Sequence, residues 1–113
     1  LKLLHAKTGA AIARHVYGVD DEVYQAILYH TTGRANMTLL EKILYLADYI
    51  EPSREFANDP DVVRLRETVY EDLDRGLLLG LTMTVTEMEG MGNPVHHDTL
   101  DARNDLIEKG VTL

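Results

Sequence analysis

Apolar residues recur at helical spacing through nearly the whole of this 113-residue chain, and helix-starting or helix-stopping residues separate the recurrences. Period-two alternation, the mark of a half-buried strand, is rare. The pattern restricts the chain to an all-α fold. A first helix is expected from Leu1 to Tyr17, stopping at Gly18, with an apolar stripe of Leu1, Ile12 and Val16 and with Thr8 and Gly9 on the same side. Asp20 is a good N-cap for a second helix, and Asp21 and Glu22 suit the positive end of its dipole. That helix is expected to run to about His30. Thr38-Leu39-Leu40-Glu41 reads as a capping box opening a third helix, which carries Leu39, Leu40, Ile43, Leu44, Ala47 and Ile50 and ends before Pro52. Asp59-Pro60 is an N-cap followed by proline at the first helical position. Helical spacing then continues to Glu89, with a break expected near Asp72. Gly90, Gly92 and Pro94 form a loop, and Asp98 is expected to cap a last helix ending near Gly110. The reading is a bundle of five to six helices and a single domain over residues 1–113.

Charge narrows the partners. The formal net charge is −8. An acidic surface repels nucleic acid and anionic membrane, so neither is an expected partner. The longest apolar stretches, such as Gly76 to Leu81, are too short to span a bilayer. There is no cysteine, so disulfides and thiolate ligation are out, and a reducing, cytoplasmic location fits. A phosphate-bearing substrate would need a metal or a few well-placed arginines to overcome the chain's charge.

Three polar side chains fall on or beside apolar helix faces. On a helical wheel His5 lies between Ile12 and Val16, His30 between Val23 and Ile27, and Asp48 beside Leu44. Burying such groups unpartnered costs several kcal/mol, on the order of what a hydrogen bond or a cation must return. One divalent cation would satisfy all three, and imidazole with carboxylate suits zinc, iron or manganese. A hydrogen-bonded core histidine, or an ion pair of Asp48 with Lys42, meets the same need.

The wording around these residues carries a resemblance. His5 sits in Leu-Leu-His-Ala-Lys-Thr-Gly-Ala, and His30 in Tyr-His-Thr-Thr-Gly-Arg. Asp48 sits in Leu-Leu-Glu-Lys-Ile-Leu-Tyr-Leu-Ala-Asp-Tyr-Ile-Glu-Pro-Ser-Arg, and near the end comes Pro-Val-His-His-Asp-Thr-Leu-Asp-Ala-Arg-Asn. In this order the series resembles the YqeK-type branch of the HD superfamily, the symmetrical bis(5′-nucleosyl)-tetraphosphatases. It runs essentially the whole length of the chain.

The resemblance implies an HD-domain-like helical bundle. It implies an enzyme that hydrolyses diadenosine tetraphosphate into two ADP molecules with a bound divalent metal: iron, with manganese or zinc as alternatives. It makes His5, His30 and Asp48 the metal and catalytic residues. It places nucleotide against those three, against Thr31, Thr32, Gly33 and Arg34, and against Arg54 and Arg103. The loop of Met91, Gly92, Asn93, Pro94, Val95 and His96 lines the same pocket. Backbone amides and hydroxyls of the Thr32-Gly33 turn suit phosphate, and the arginines suit equatorial oxygens.

The sequence departs from that family in one respect. The family's namesake His-Asp pair and an earlier histidine precede the position of His5, where this sequence has no counterpart. His97-Asp98 does not replace them: its spacing is wrong, His97 stands where the family has proline, and Asp98 has a local capping job. The opening at Leu1 within a helical pattern reads as a fragment, whose uncovered apolar faces predict self-association, such as a homodimer. Two other readings stay open: a non-catalytic nucleotide- or metal-binding helical module, and an HD phosphohydrolase of another nucleotide.

Overall fold

The computed structural model describes residues 2–51 and 58–113, with side chains from Leu4 onward outside that gap. Arg54 therefore lies outside the described residues. Six helices account for the described fold: α1 (Lys2–Tyr17), α2 (Asp21–Tyr29), α3 (Leu39–Ile50), α4 (Pro60–Glu71), α5 (Leu73–Gly90) and α6 (His97–Glu108). The capping chemistry appears where the sequence places it. Asp20 accepts from the Val23 amide, and Thr38 and Glu41 close a reciprocal capping box. Asp59 precedes Pro60 at the start of α4. Asp72 ends α4 and starts α5 at once: its amide donates to the Thr68 carbonyl, while its carboxylate accepts from the Arg75 amide. One extended residue (φ −154°, ψ 109°) thus turns a continuous helical pattern into an antiparallel pair.

α5 is the centre of the fold. Every residue from Gly76 to Leu81 is buried, and α5 packs against α3, α4 and α6. Two glycines make the close approaches possible. A Cβ at Gly76 would lie 2.5 Å from Val69 Cγ2 and 2.8 Å from Val69 Cα, and one at Gly80 would lie 3.3 Å from Leu46 Cδ2. The core is built on Tyr45 and Leu46 of α3, Leu65 of α4, Leu77, Leu78, Leu79 and Leu81 of α5, and Ala102 and Leu106 of α6. Polar links stitch the layers. The Tyr45 hydroxyl and Thr84 Oγ1 lie 2.9 Å apart, Lys42 donates to Asp74 at 2.6 Å, and the Arg66 guanidinium donates to the Ile50 carbonyl. Burial pushes the Tyr45 phenol up from its ordinary pKa. None of the described helices is long and apolar enough to cross a membrane.

The sequence reading misplaces two faces. α1 packs on α2 alone among the described helices, and it does so with Ala6 and Ala10, not with the Ile12–Val16 stripe. Ile12 is 48% and Val16 68% exposed, and His5 is exposed with them. Small residues line the contact: Ala6 and Ala10 are buried, and Gly9 faces Ile27, where an added Cβ would stand at an ordinary contact distance of 3.7 Å. On α3 the expected stripe is also displaced. Leu39, Ile43 and Ala47 are exposed, while Glu41, Tyr45 and Leu46 face inward. Glu41 turns the helix this way because its buried carboxylate has a cation waiting for it.

Candidate functional site

That cation is Arg34. Its guanidinium grips Glu41 with two bonds, Nε to Oε1 at 2.5 Å and Nη2 to Oε2 at 2.9 Å, and lies 4.8 Å from the centre of the Tyr29 ring. The Glu41 side chain is fully buried. Burial alone would push its carboxyl up, but hydrogen bonds from Arg34 and Thr38 hold it below the ordinary carboxylate range. The same bond to Glu41 raises the Arg34 pKa. Arg34 therefore serves first to lock the α2–α3 turn onto α3.

His30 stands at the C-cap of α2, half-buried. Its Nδ1 is 2.5 Å from the Ile27 carbonyl, and since a carbonyl only accepts, Nδ1 carries the hydrogen. Nε2 then holds the lone pair. Metal-binding histidines adopt this arrangement, with one nitrogen anchored to a carbonyl and the other free to ligate. The following turn is pinned tightly. Gly33 has φ 71°, and its amide donates to the Tyr29 carbonyl. The buried Thr32 hydroxyl donates to the Gly33 carbonyl, and Thr99 of α6 donates to the Thr32 carbonyl at 2.8 Å. The Thr32 hydroxyl and the Gly33 amide, expected from sequence to face phosphate, are thus committed internally. Thr31, half-buried beside His30, has no such tie.

Further along, the Asn36 amide donates to Asp105, and Lys109 bridges Asn36 and Asp105. The backbone bond from Asn36, helped by Lys109, holds the Asp105 carboxyl below its usual pKa. The His30–Asn36 turn is in this way laid along α6. Arg103 projects from α6, and its Nε is buried with no hydrogen-bond partner. A buried guanidinium N–H without a protein acceptor is rare in folded proteins and is suited to a water or an anion.

The loop ahead of α6 is open. Met91, Gly92, Asn93 and Pro94 are exposed, and Val95 and His96 are half-buried. α6 begins two residues earlier than the sequence suggests. Its N-cap is His96, whose Nδ1 accepts the Asp98 amide at 3.1 Å, so Asp98 lies inside the first turn. An imidazole nitrogen does the work expected of a carboxylate, which frees the Asp98 side chain to face His96 and His97. Asp98 capping was the wrong expectation for that reason.

The three ligands anticipated from sequence come from α1, the end of α2, and α3. His5 and Asp48 are exposed and His30 is half-buried, with Asp48 engaged by a polar neighbour. Among the described residues their donor atoms do not close to within 4.8 Å of one another; His96, His97 and Asp98 do.

Comparison with known proteins finds clear similarities. Residues 1–53 match the HD domain model. The chain is 46% identical over 107 residues to the symmetrical bis(5′-nucleosyl)-tetraphosphatase of Halalkalibacterium halodurans and 42% identical to that of Bacillus subtilis. The chain is similar to HD-domain proteins, and the family model itself matches its first 53 residues. In both cases 94% of the chain is covered and 56% of the relative. A crystal structure described as a predicted HD superfamily hydrolase involved in NAD metabolism, from Clostridium acetobutylicum, superposes with a TM-score of 0.86 at 46% identity. That match covers 93% of this chain and 55% of the other. The chain thus spans about half the length of the relatives it matches. An HD domain implies a divalent metal.

Proposed function

We propose that the protein to which this chain belongs is a metal-dependent hydrolase that cleaves diadenosine tetraphosphate symmetrically into two ADP molecules. The Nε of Arg103 carries the reading within the molecule: a buried N–H with no acceptor among the described protein atoms, on a half-buried arginine of a helix tied to the His30 turn, suits a phosphate oxygen. The names of the relatives, symmetrical bis(5′-nucleosyl)-tetraphosphatases, supply the substrate class.

His30 fits a metal because its Nδ1 hydrogen is held by the Ile27 carbonyl; His5 and Asp48 are the proposed companions, and iron is the proposed ion, ahead of manganese or zinc. When bound, the ion supplies a water acidified toward hydroxide at neutral pH. The chain's own residues do the rest. Arg103, with Arg54, neutralises phosphate charge that builds during transfer. Thr31 and the Met91–His96 loop hold the nucleotide. Arg34 keeps the His30 turn in place through Glu41. The exposed apolar residues of α1 and α3, Ile12, Val16, Leu39 and Ile43, favour self-association into a homodimer.

The test is incubation of the full-length protein with diadenosine tetraphosphate and iron or manganese, followed by chromatography. ADP as the product supports the reading; AMP with ATP, or no product, refutes it. A second reading rests on the open spacing of His5, His30 and Asp48. In it the domain binds nucleotide or metal without catalysis, or acts on another nucleotide. Calorimetry with ADP, with and without manganese, together with product analysis across a nucleotide panel, separates these cases.

A further inference from the structure

The start of α6 gathers three side chains of metal-ligating type, apart from His5, His30 and Asp48 but beginning at His96, the last residue of the proposed nucleotide loop. His96 Nδ1 lies 3.6 Å from Asp98 Oδ2, and His97 Nε2 lies 3.2 Å from Asp98 Oδ1. One donor atom from each of the three residues falls within 4.8 Å of the others. The two imidazole rings stack, with centroids 4.6 Å apart and planes 24° from parallel.

Consecutive residues in a regular helix point about 100° apart and do not converge. They converge here because His96 is not helical. Its backbone is extended (φ −63°, ψ 137°), and the helix turns only from His97 onward. This folds the His96 ring back over that of His97 and brings both to the Asp98 carboxylate.

We propose that His96, His97 and Asp98 form a second site for a borderline transition-metal dication such as zinc, cobalt or nickel. The spacing suits such an ion. Bonds of about 2.0–2.1 Å to a tetrahedral ion separate its donors by about 3.3 Å; each imidazole lies near that distance from a different oxygen of Asp98, so a small turn of the carboxylate would bring one oxygen to both. Two imidazoles and one carboxylate make a borderline donor set. Remaining positions on the ion are left to water or an anionic ligand. The chain's charge of −8 draws cations to its surface. The positive end of the α6 dipole opposes a cation there, and the Asp98 carboxylate offsets it. Arg34 is near enough to feel Asp98 but gives its hydrogen bonds to Glu41, so it does not occupy that carboxylate.

One consequence is specific to this geometry. The His96 lone pair that would ligate already accepts the Asp98 amide. Ion and helix cap compete for one nitrogen, so binding releases that amide.

The probe is cobalt(II), titrated into the chain carrying His30→Ala and Asp48→Ala, which disables the proposed hydrolytic centre. His5 and His15 are then the other imidazoles remaining. Visible absorption and calorimetry report binding, and zinc with two-dimensional NMR reports the site. The expected result is one bound ion, with the zinc-induced shifts centred on the His96 and His97 rings and the Asp98 amide. Adding His97→Gln or Asp98→Asn should weaken binding about tenfold or more. His97 is 78% exposed at its side chain, so its replacement leaves the fold intact, and circular dichroism checks this. Unchanged affinity in both variants, or shifts centred on His5 or His15, overturns the proposal. Because the hydrolytic centre is absent from this background, the result stands apart from whether the protein cleaves diadenosine tetraphosphate.

Discussion

The two ends of the bundle are held by different means. α5 is surrounded: α3, α4 and α6 all pack on it, and Leu77 and Leu81 are buried almost completely. α1 rests on α2 alone, through the methyl groups of Ala6 and Ala10, while its larger apolar residues face outward. Apolar area removed from water sets the difference, since alanine methyls bury far less than leucine side chains. The α3–α6 region should therefore carry most of the stability, and α1 should open first in native-state hydrogen exchange. The candidate metal residues straddle this divide, with His5 on the weakly held helix and His30 and Asp48 nearer the core.

Four tests bear on that contrast, in descending order of expected effect. Leu81→Ala should lower unfolding free energy in urea by about 3 kcal/mol or more, because the site is closed on all sides and leaves a cavity. A loss under 1 kcal/mol, on the order of a surface change, would show that α5 is not the anchor. Gly76→Ala should cost about 2–3 kcal/mol, since its new methyl meets Val69 backbone that cannot step aside.

Glu41→Gln should cost about 2 kcal/mol at neutral pH, less than a wholly buried pair because Arg34 reaches solvent. Its pH dependence has a definite sign. The folded Glu41 pKa lies below the reference value of 4.5, so the wild-type contribution is complete above that pH and is lost as pH falls through the folded value. The gap between wild type and variant should accordingly narrow in acid; a gap that widens would contradict the pairing. Last, Val16→Ser or Ile12→Ser should change stability by about 0.5 kcal/mol or less yet reduce self-association in sedimentation. A large destabilisation there would mean that α1 is held more firmly than its packing indicates.

The resemblance was legible in the letters. The Tyr-His-Thr-Thr-Gly-Arg and Leu-Ala-Asp-Tyr-Ile-Glu-Pro stretches carry the family, and the HD match and the relatives agree with it. The Arg34–Glu41 pair was hidden, although both members were in view, because a capping-box glutamate is ordinarily a surface residue. The convergence of His96, His97 and Asp98 was equally hidden. It depends on which residue caps α6, and histidine is not among the favoured N-caps.

Helix number, the starts of α2, α3 and α4, the break at Asp72 and the all-α class follow from sequence alone, because capping and periodicity are local interactions within a few residues of each other. Which face of α1 and α3 turns inward was decided only in three dimensions. Both helices carry more than one apolar face, and the choice falls to long-range partners: Ile27 against Gly9, and Arg34 reaching for Glu41. Local patterning cannot rank faces that differ by so little until the neighbouring helices are in place.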